Sequence, residues 1–263
     1  MTHLLCMFVL RQLVRDPWGA LRGCNCVPKP HRRNDPKWRA ISAVQAKMMR
    51  KLEASDFAIV KRVGRGDVGN VQLVRLKGTN VLFAMKVLEK QEMVDRNKMH
   101  RVRAEDEILS AVDHPMLATL FSSFQTKSSL YFLMDYCPGG ELFELLQKQP
   151  GKRFPETAAR FYTAEILLAL QYLHLLGYVY RDLKVRVVRV CVAHQINAPL
   201  TKKFPGSQPE NVLLQASGHA VLTDFDLSFR ATSKPFVHMW PSPSGESVPI
   251  LVRNAPSCDM CTS

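Results

Sequence analysis

Gly64-Arg65-Gly66-Asp67-Val68-Gly69-Asn70-Val71 carries three glycines in the spacing G-x-G-x-x-G-x-V, and its flanks decide what that spacing means. Phe57–Val63 before it is rich in β-formers, and Val71–Leu76 and Val81–Leu88 after it repeat that texture between polar turns. Glycines let a backbone approach phosphates without side-chain clash. A dinucleotide loop passes from a strand into a helix, whereas this one passes from strand to strand. A plain hairpin turn is the alternative while the glycines are read alone.

Working outward, Lys86 lies 17 residues after Gly69, in Phe83-Ala84-Met85-Lys86 on the third expected strand. A lysine in an apolar strand needs a counter-charge or a phosphate. Met99–Ala111 has helical spacing and offers Glu105 as that partner, with Glu107 a poorer one. A surface lysine and a surface glutamate are the bland alternative. Apolar runs at Leu117–Phe124 and Leu130–Tyr136 follow, and Cys137-Pro138-Gly139-Gly140 breaks the pattern. Five strands and one helix make a small lobe.

Beyond the break, Glu141–Gln147 and Glu156–Leu176 read as helices, and Val212–Leu214 and Ala220–Leu222 as short strands. The longer helix puts Phe161, Ala164, Ile166, Leu167, Leu170, Tyr172 and Leu173 on a broad apolar surface. Tyr180-Arg181-Asp182-Leu183-Lys184 follows that helix, and Leu222-Thr223-Asp224-Phe225-Asp226 follows the last strand. One aspartate is available to accept a hydroxyl proton and the other to hold magnesium. Either motif alone is readable as ordinary loop carboxylates; the order and spacing of all four elements argue against coincidence.

With these residues in view, the chain resembles the AGC group of serine/threonine protein kinases, and within it the phototropin-like branch of plants and green algae. The resemblance rests on the glycine run, Arg96-Asn97-Lys98-Met99-His100-Arg101, Asp113-His114-Pro115, Ser123-Phe124-Gln125-Thr126, Cys137-Pro138-Gly139-Gly140-Glu141-Leu142-Phe143 and Asp224-Phe225-Asp226-Leu227-Ser228. Most kinases have glycine where Asp226 stands. Trp38-Arg39-Ala40-Ile41 is similar to the segment preceding that branch's kinase domain, and no match to its light-sensor domains is present.

The resemblance implies an α+β fold, with a complete β-rich N-lobe bearing one regulatory helix and a truncated, mostly helical C-lobe. It implies transfer of the γ-phosphate of ATP, with Mg2+, to protein Ser/Thr hydroxyls in signal transduction. Gly64, Gly66 and Gly69 would cover the phosphates; Lys86 would contact them, held by Glu105. Asp182 would orient the substrate hydroxyl, Lys184 would neutralise the γ-phosphate, and Asn211 and Asp224 would bind the metal. Val71, Ala84, Met134 and Leu213 would sandwich adenine, its edge bonding to backbone at Asp135–Cys137, while Glu141 would meet ribose or a basic substrate side chain.

Two departures stand out. The family's continuous R-D-L-K-P-E-N is interrupted here by 24 residues, Val185–Gln208, before Pro209-Glu210-Asn211 resumes it. Valine and glutamine codons match the usual intron borders, so a translated intron is one reading and a lineage-specific loop the other. After Phe229 the resemblance stops, with no A-P-E motif and no later large-lobe helices. The alternative function is therefore a catalytically impaired nucleotide-binding fragment, or an incomplete gene model of such a kinase. With no loop to hold, His100 and Arg181 lose the role they have in such kinases.

The expected organisation is a basic, disordered leader at 1–54, an N-lobe at 55–137, a partial C-lobe at 138–230 interrupted by 185–208, and a disordered tail at 231–263. Charge follows these divisions. The net charge of +13 concentrates in residues 1–54, with 11 basic against 3 acidic side chains, and in residues 185–208, with 4 basic and none acidic. Basicity confined to appendages argues against a nucleic-acid-binding core and leaves open a weak contact of the N-terminal segment with an anionic membrane. The longest apolar stretch, Leu4–Leu10, is far below the roughly 20 residues that span a bilayer. A cytoplasmic protein, with or without membrane association, is the expectation. Seven scattered cysteines fit a reducing compartment, and Cys24-x-Cys26 and Cys258-x-x-Cys261 lack the partner pairs a metal site needs.

Overall fold

The computed structural model describes residues 29–66, 69–183, 211–231, 235–241 and 247–253. Residues 1–28, the interruption at 185–208, Lys184, Asp67, Val68 and all four cysteines of the two half-sites lie outside that set.

The small lobe is an antiparallel sheet of β1 (Phe57–Gly66), β2 (Gly69–Leu76), β3 (Leu82–Glu89), β4 (Leu120–Gln125) and β5 (Ser129–Met134), in the order β1-β2-β3-β5-β4. Side chains alternate between the two faces. On β3, Phe83, Met85 and Val87 join a cluster with Phe57, Val74, Phe121 and Leu133, while Leu88 belongs to the main core on the other side. Lys86 lies on that second face with Ala84. The register pairs Ala84 with Leu73 and Met134, and Lys86 with Val71 and Phe132, so these residues share one side of the sheet.

The opposite face is covered by helix α1 (Pro36–Met48). Asp35 caps it by accepting from Lys37 N at 2.8 Å, and Pro36 occupies the first turn. Trp38 and Ile41 are buried, the indole 4.9 Å from the Phe121 ring. Residues 29–54 therefore depart from the expected disordered leader, because an apolar sheet face needs a lid and Trp38 supplies one. The helix stops at a left-handed Met49.

Short α2 (Lys90–Asp95) and α3 (Met99–Ala111) connect β3 to β4, with Val102, Glu105, Ile108 and Leu109 of α3 facing inward. The chain after α3 is tied to the other lobe: Ala118 N donates to Leu222 O and Leu222 N to Met116 O, both at 2.9 Å.

The large lobe contains α4 (Leu142–Lys148), α5 (Glu156–Leu175) and a sheet of β6 (Gly140–Glu141), β8 (Val212–Leu214) and β9 (Ala220–Leu222), with β7 (Tyr178–Val179) paired to β10 (Phe229–Arg230). Ile166, Ala169 and Leu173 of α5 are buried, while Phe161, Leu167, Leu168 and Leu175 are exposed. Its apolar surface is thus only half used. Glu165 fixes the helix by accepting from Ala220 N at 2.7 Å. In the expected disordered tail, β11 (Pro235–Pro241) and β12 (Ser247–Arg253) pair as an antiparallel hairpin.

Trp38 Nε1 is buried without a hydrogen-bond partner. Trp38→Ala should therefore lower unfolding free energy by about 3–4 kcal/mol, whereas Trp38→Phe should lose on the order of 1 kcal/mol, as measured by urea unfolding.

Candidate active site

The glycine run folds as the β1–β2 hairpin, with Gly64 opposite Val71 and Gly66 opposite Gly69. Gly69 has φ +150, and a Cβ there would sit 2.6 Å from Val87 O, so any larger residue would push the hairpin off β3. The second strand of the hairpin carries Val71 onto the sheet face that it shares with Ala84, Lys86 and Met134.

Lys86 is the charged centre of that face. Its Nζ donates to Glu105 Oε1 at 2.6 Å and Oε2 at 2.8 Å, and to Asp224 Oδ1 at 3.0 Å. Both ends of the first pair are buried. Burial alone would lower the Lys86 pKa, but Glu105 and then Asp224 outweigh it and hold the ammonium above its ordinary value. Burial pushes Glu105 up to about 7 against the pull of Lys86. Glu107 takes no part; it accepts from Tyr178 OH at 3.1 Å.

The segment around Asp182 is bonded to the segment around Asp224. Tyr180 OH donates to Thr223 O at 2.5 Å, Ser228 Oγ to Tyr180 O at 3.1 Å, and Arg181 Nε to Leu227 O at 2.7 Å. The buried Tyr180 and Phe225 rings meet edge to face at 5.7 Å. Arg181 bonds this loop and lies over the Phe229 ring. Asn211 is 29 positions from Asp182, yet its Nδ2 donates to the Asp182 carboxylate and, at 3.3 Å, to Asp182 O. Thr223 N in turn donates to Asn211 O at 2.9 Å, which ties Asn211 to Asp224. Asp182, Asn211 and Asp224 are thus brought together on either side of the interruption. Lys184 lies outside the described residues.

Leu213 enters from β8, where it pairs with Glu141. Met134 ends β5, and Asp135 N donates to Thr119 O at 3.2 Å. Cys137 is buried with its thiol pushed up to about 12, first by burial and then by Asp135, so it is an inert packing group. Val71, Ala84 and Met134 share one face of the small-lobe sheet, and Leu213 of the other lobe packs, partly buried, against the core cluster that contains Met134.

Sequence reading missed two ion pairs here. Arg101 NH1 lies 3.5 Å from Asp226 Oδ2, and Arg32 NH2 lies 2.7 Å from Asp135 Oδ2. The first had a signal: Arg101 and Glu105 are four residues apart on α3 and so share a face. The second crosses about a hundred residues of sequence and had none.

A sequence model of the protein kinase domain matches residues 57–188. The chain belongs to the protein kinase family. It is 47% identical to phototropin-2 of Oryza sativa subsp. japonica over 222 residues, covering 84% of this chain and 22% of that protein. A serine/threonine-protein kinase of Arabidopsis thaliana is also 47% identical, over 80% of this chain and 32% of the relative. Protein kinase PVPK-1 of Phaseolus vulgaris is 45% identical, over 79% and 30%. These relatives put the chain with plant AGC kinases of the phototropin-like kind. It spans between about a fifth and a third of the length of these three kinases. Among the described residues, no helix is long and apolar enough to cross a membrane.

Asp226 yields a pH prediction. Its carboxyl is raised by burial and by neighbouring Asp224, against the pull of Lys86 and Arg101. The folded state therefore holds this proton more tightly than the unfolded chain, and stability falls as pH rises from about 4 through the raised folded value. Asp226→Asn cannot ionise. Its unfolding free energy should rise relative to that of the wild type between pH 4 and pH 7.5 in parallel urea titrations; a constant difference would contradict the assignment.

Proposed function

We propose that this protein is a serine/threonine kinase that transfers the γ-phosphate of ATP to protein hydroxyls, with Mg2+ bound. The observation that carries the reading is the closed set of contacts joining Lys86, Glu105 and Asp224 on one side to Asp182 and Asn211 on the other. Coincidental loop carboxylates would not be wired together from five separate segments.

In this reading adenine lies between Val71, Ala84, Met134 and Leu213, its edge bonding to backbone at Asp135–Cys137. Gly64, Gly66 and Gly69 let the hairpin backbone close on the phosphates, and Lys86 exchanges its contact with Asp224 for phosphate oxygens while Glu105 keeps it oriented. By the family resemblance Glu141 would meet ribose or a basic substrate residue, and Lys184, outside the described residues, would meet the γ-phosphate.

The donor set fits magnesium. Asp224 offers a carboxylate that remains a third exposed, and Asn211, whose amide N–H is engaged by Asp182, has its carbonyl as the acceptor. Hard oxygen donors, few in number and completed by phosphate, are what Mg2+ takes. When bound it would neutralise charge on the β- and γ-phosphates. Asp182 would accept the substrate hydroxyl proton as the oxygen attacks, and its bond to Asn211 would keep the carboxylate aimed. Phosphoryl transfer needs little more than such positioning and charge neutralisation.

The wider reading is a cytoplasmic signalling kinase acting on a protein substrate, its basic N-terminal segment making weak contact with anionic membrane and its core taking no nucleic acid.

Phosphate transfer from labelled ATP to a generic basic protein substrate tests the proposal. Asp182→Asn and Lys86→Met should each lower the rate by at least about a hundredfold. Activity surviving in either variant would refute the roles. ATP with Mg2+ should also raise the melting temperature of the wild type but not of Lys86→Met, and no shift in the wild type would argue against nucleotide binding.

A further inference from the structure

The segment Lys29–Lys37 lies outside the matched kinase domain, which begins at residue 57, yet its cations bond the end of α3, the loop after it and Asp135, the residue that follows β5. Lys29 Nζ donates to Ser110 O at 2.5 Å at the end of α3, and His31 Nδ1 bonds Asp113 in the loop that follows. Arg32 and Lys37 both reach Asp135: Arg32 NH2 sits 2.7 Å from Oδ2, and Lys37 Nζ bonds Oδ1. Arg32 is itself braced at 2.8 Å by Asp35, the cap of α1, and the Lys37 ammonium lies 5.8 Å from the centre of the Phe83 ring. The Asp135 carboxylate is only 10% exposed and has a cation on each oxygen.

We infer that Arg32 and Lys37 are positioning residues for nucleotide binding, which they serve by clamping and neutralising the Asp135 carboxylate at the adenine site. The inference rests on the nucleotide-binding reading above. One effect follows from the geometry. The paired carboxylate presents no net negative charge to a polyanionic nucleotide; released, it would repel one across a low-dielectric wall. The nucleotide site therefore draws on Arg32 and Lys37, upstream of the matched domain.

The full chain tests this by titration with a fluorescent ATP analogue and Mg2+. Arg32→Ala/Lys37→Ala should weaken binding by on the order of tenfold through the unpaired carboxylate. Adding Asp135→Asn to that double variant should recover most of the loss, because the orphaned charge is gone. A merely structural strap predicts the reverse, with the triple variant no tighter than the double. Undiminished affinity in a folded double variant, or failure of Asp135→Asn to recover it, overturns the inference. If the double variant does not fold, Lys37→Ala and Lys37→Ala/Asp135→Asn repeat the comparison, with the same outcome deciding. A wild type that binds no nucleotide defeats the underlying reading, a result distinct from a wild type that binds and variants that bind equally well.

Discussion

A buried ammonium between two carboxylates organises this molecule. Lys86 on β3, Glu105 on α3 and Asp224 after β9 come from three elements that share no local contacts in sequence, and each charge is tolerated in its buried or half-buried position because the others are there. Taking one such charge out of water costs several kcal/mol unless a partner and hydrogen bonds offset it. The sheet can therefore accept Lys86 in an otherwise apolar strand only if α3 presents Glu105 and the lobes stay together. The backbone bonds between residues 116–118 and Leu222 keep α3 and β9 in step, so the ion triad and the interlobe bridge support one another.

The second constraint is strain. Arg181 and Asp224 both have positive φ, near +56° and +60°, a region that L-residues occupy at a cost. Each is held by surrounding bonds: Arg181 by Leu227 O and the Phe229 ring, Asp224 by Lys86 and the flanking Thr223 amide. By contrast, Asp226 is not among the residues with positive φ, so the position where most kinases have glycine makes no demand for one here, and its carboxylate is free to reach toward Arg101.

Much of this was legible in the sequence because it was local. β-rich and apolar runs between turns located β1 to β5 to within a few residues, and helical spacing matched α3 at its observed bounds, Met99–Ala111. Lys86 and Glu105 were readable as partners because an apolar strand and an amphipathic helix each left one charge on the inward face. The lid formed by α1 was not legible. Its apolar stripe is short, since only Trp38 and Ile41 are buried, and whether two apolar residues in a basic segment are buried depends on a sheet face assembled from residues 57–133. The pairing of β11 with β12 was missed for a related reason: its prolines and serines read as linker, while pairing depends on register with a partner strand.

The interruption between Asp182 and Asn211 sharpens the relation between continuity and geometry. A long loop costs little entropy, rising only as the logarithm of its length, so its effect on the site depends on whether its two ends are held independently. Here they are. Asp182 is fixed from its N-terminal side by Tyr180, whose OH bonds Thr223 and whose carbonyl accepts from Ser228. Asn211 is fixed from its C-terminal side by β8 and by the Thr223 amide. Both anchors lead to the same loop at residues 223–228, which acts as the template against which the two halves of the motif meet. The flanking residues Tyr180 and Asn211 are thus both positioned by hydrogen bonds to that loop.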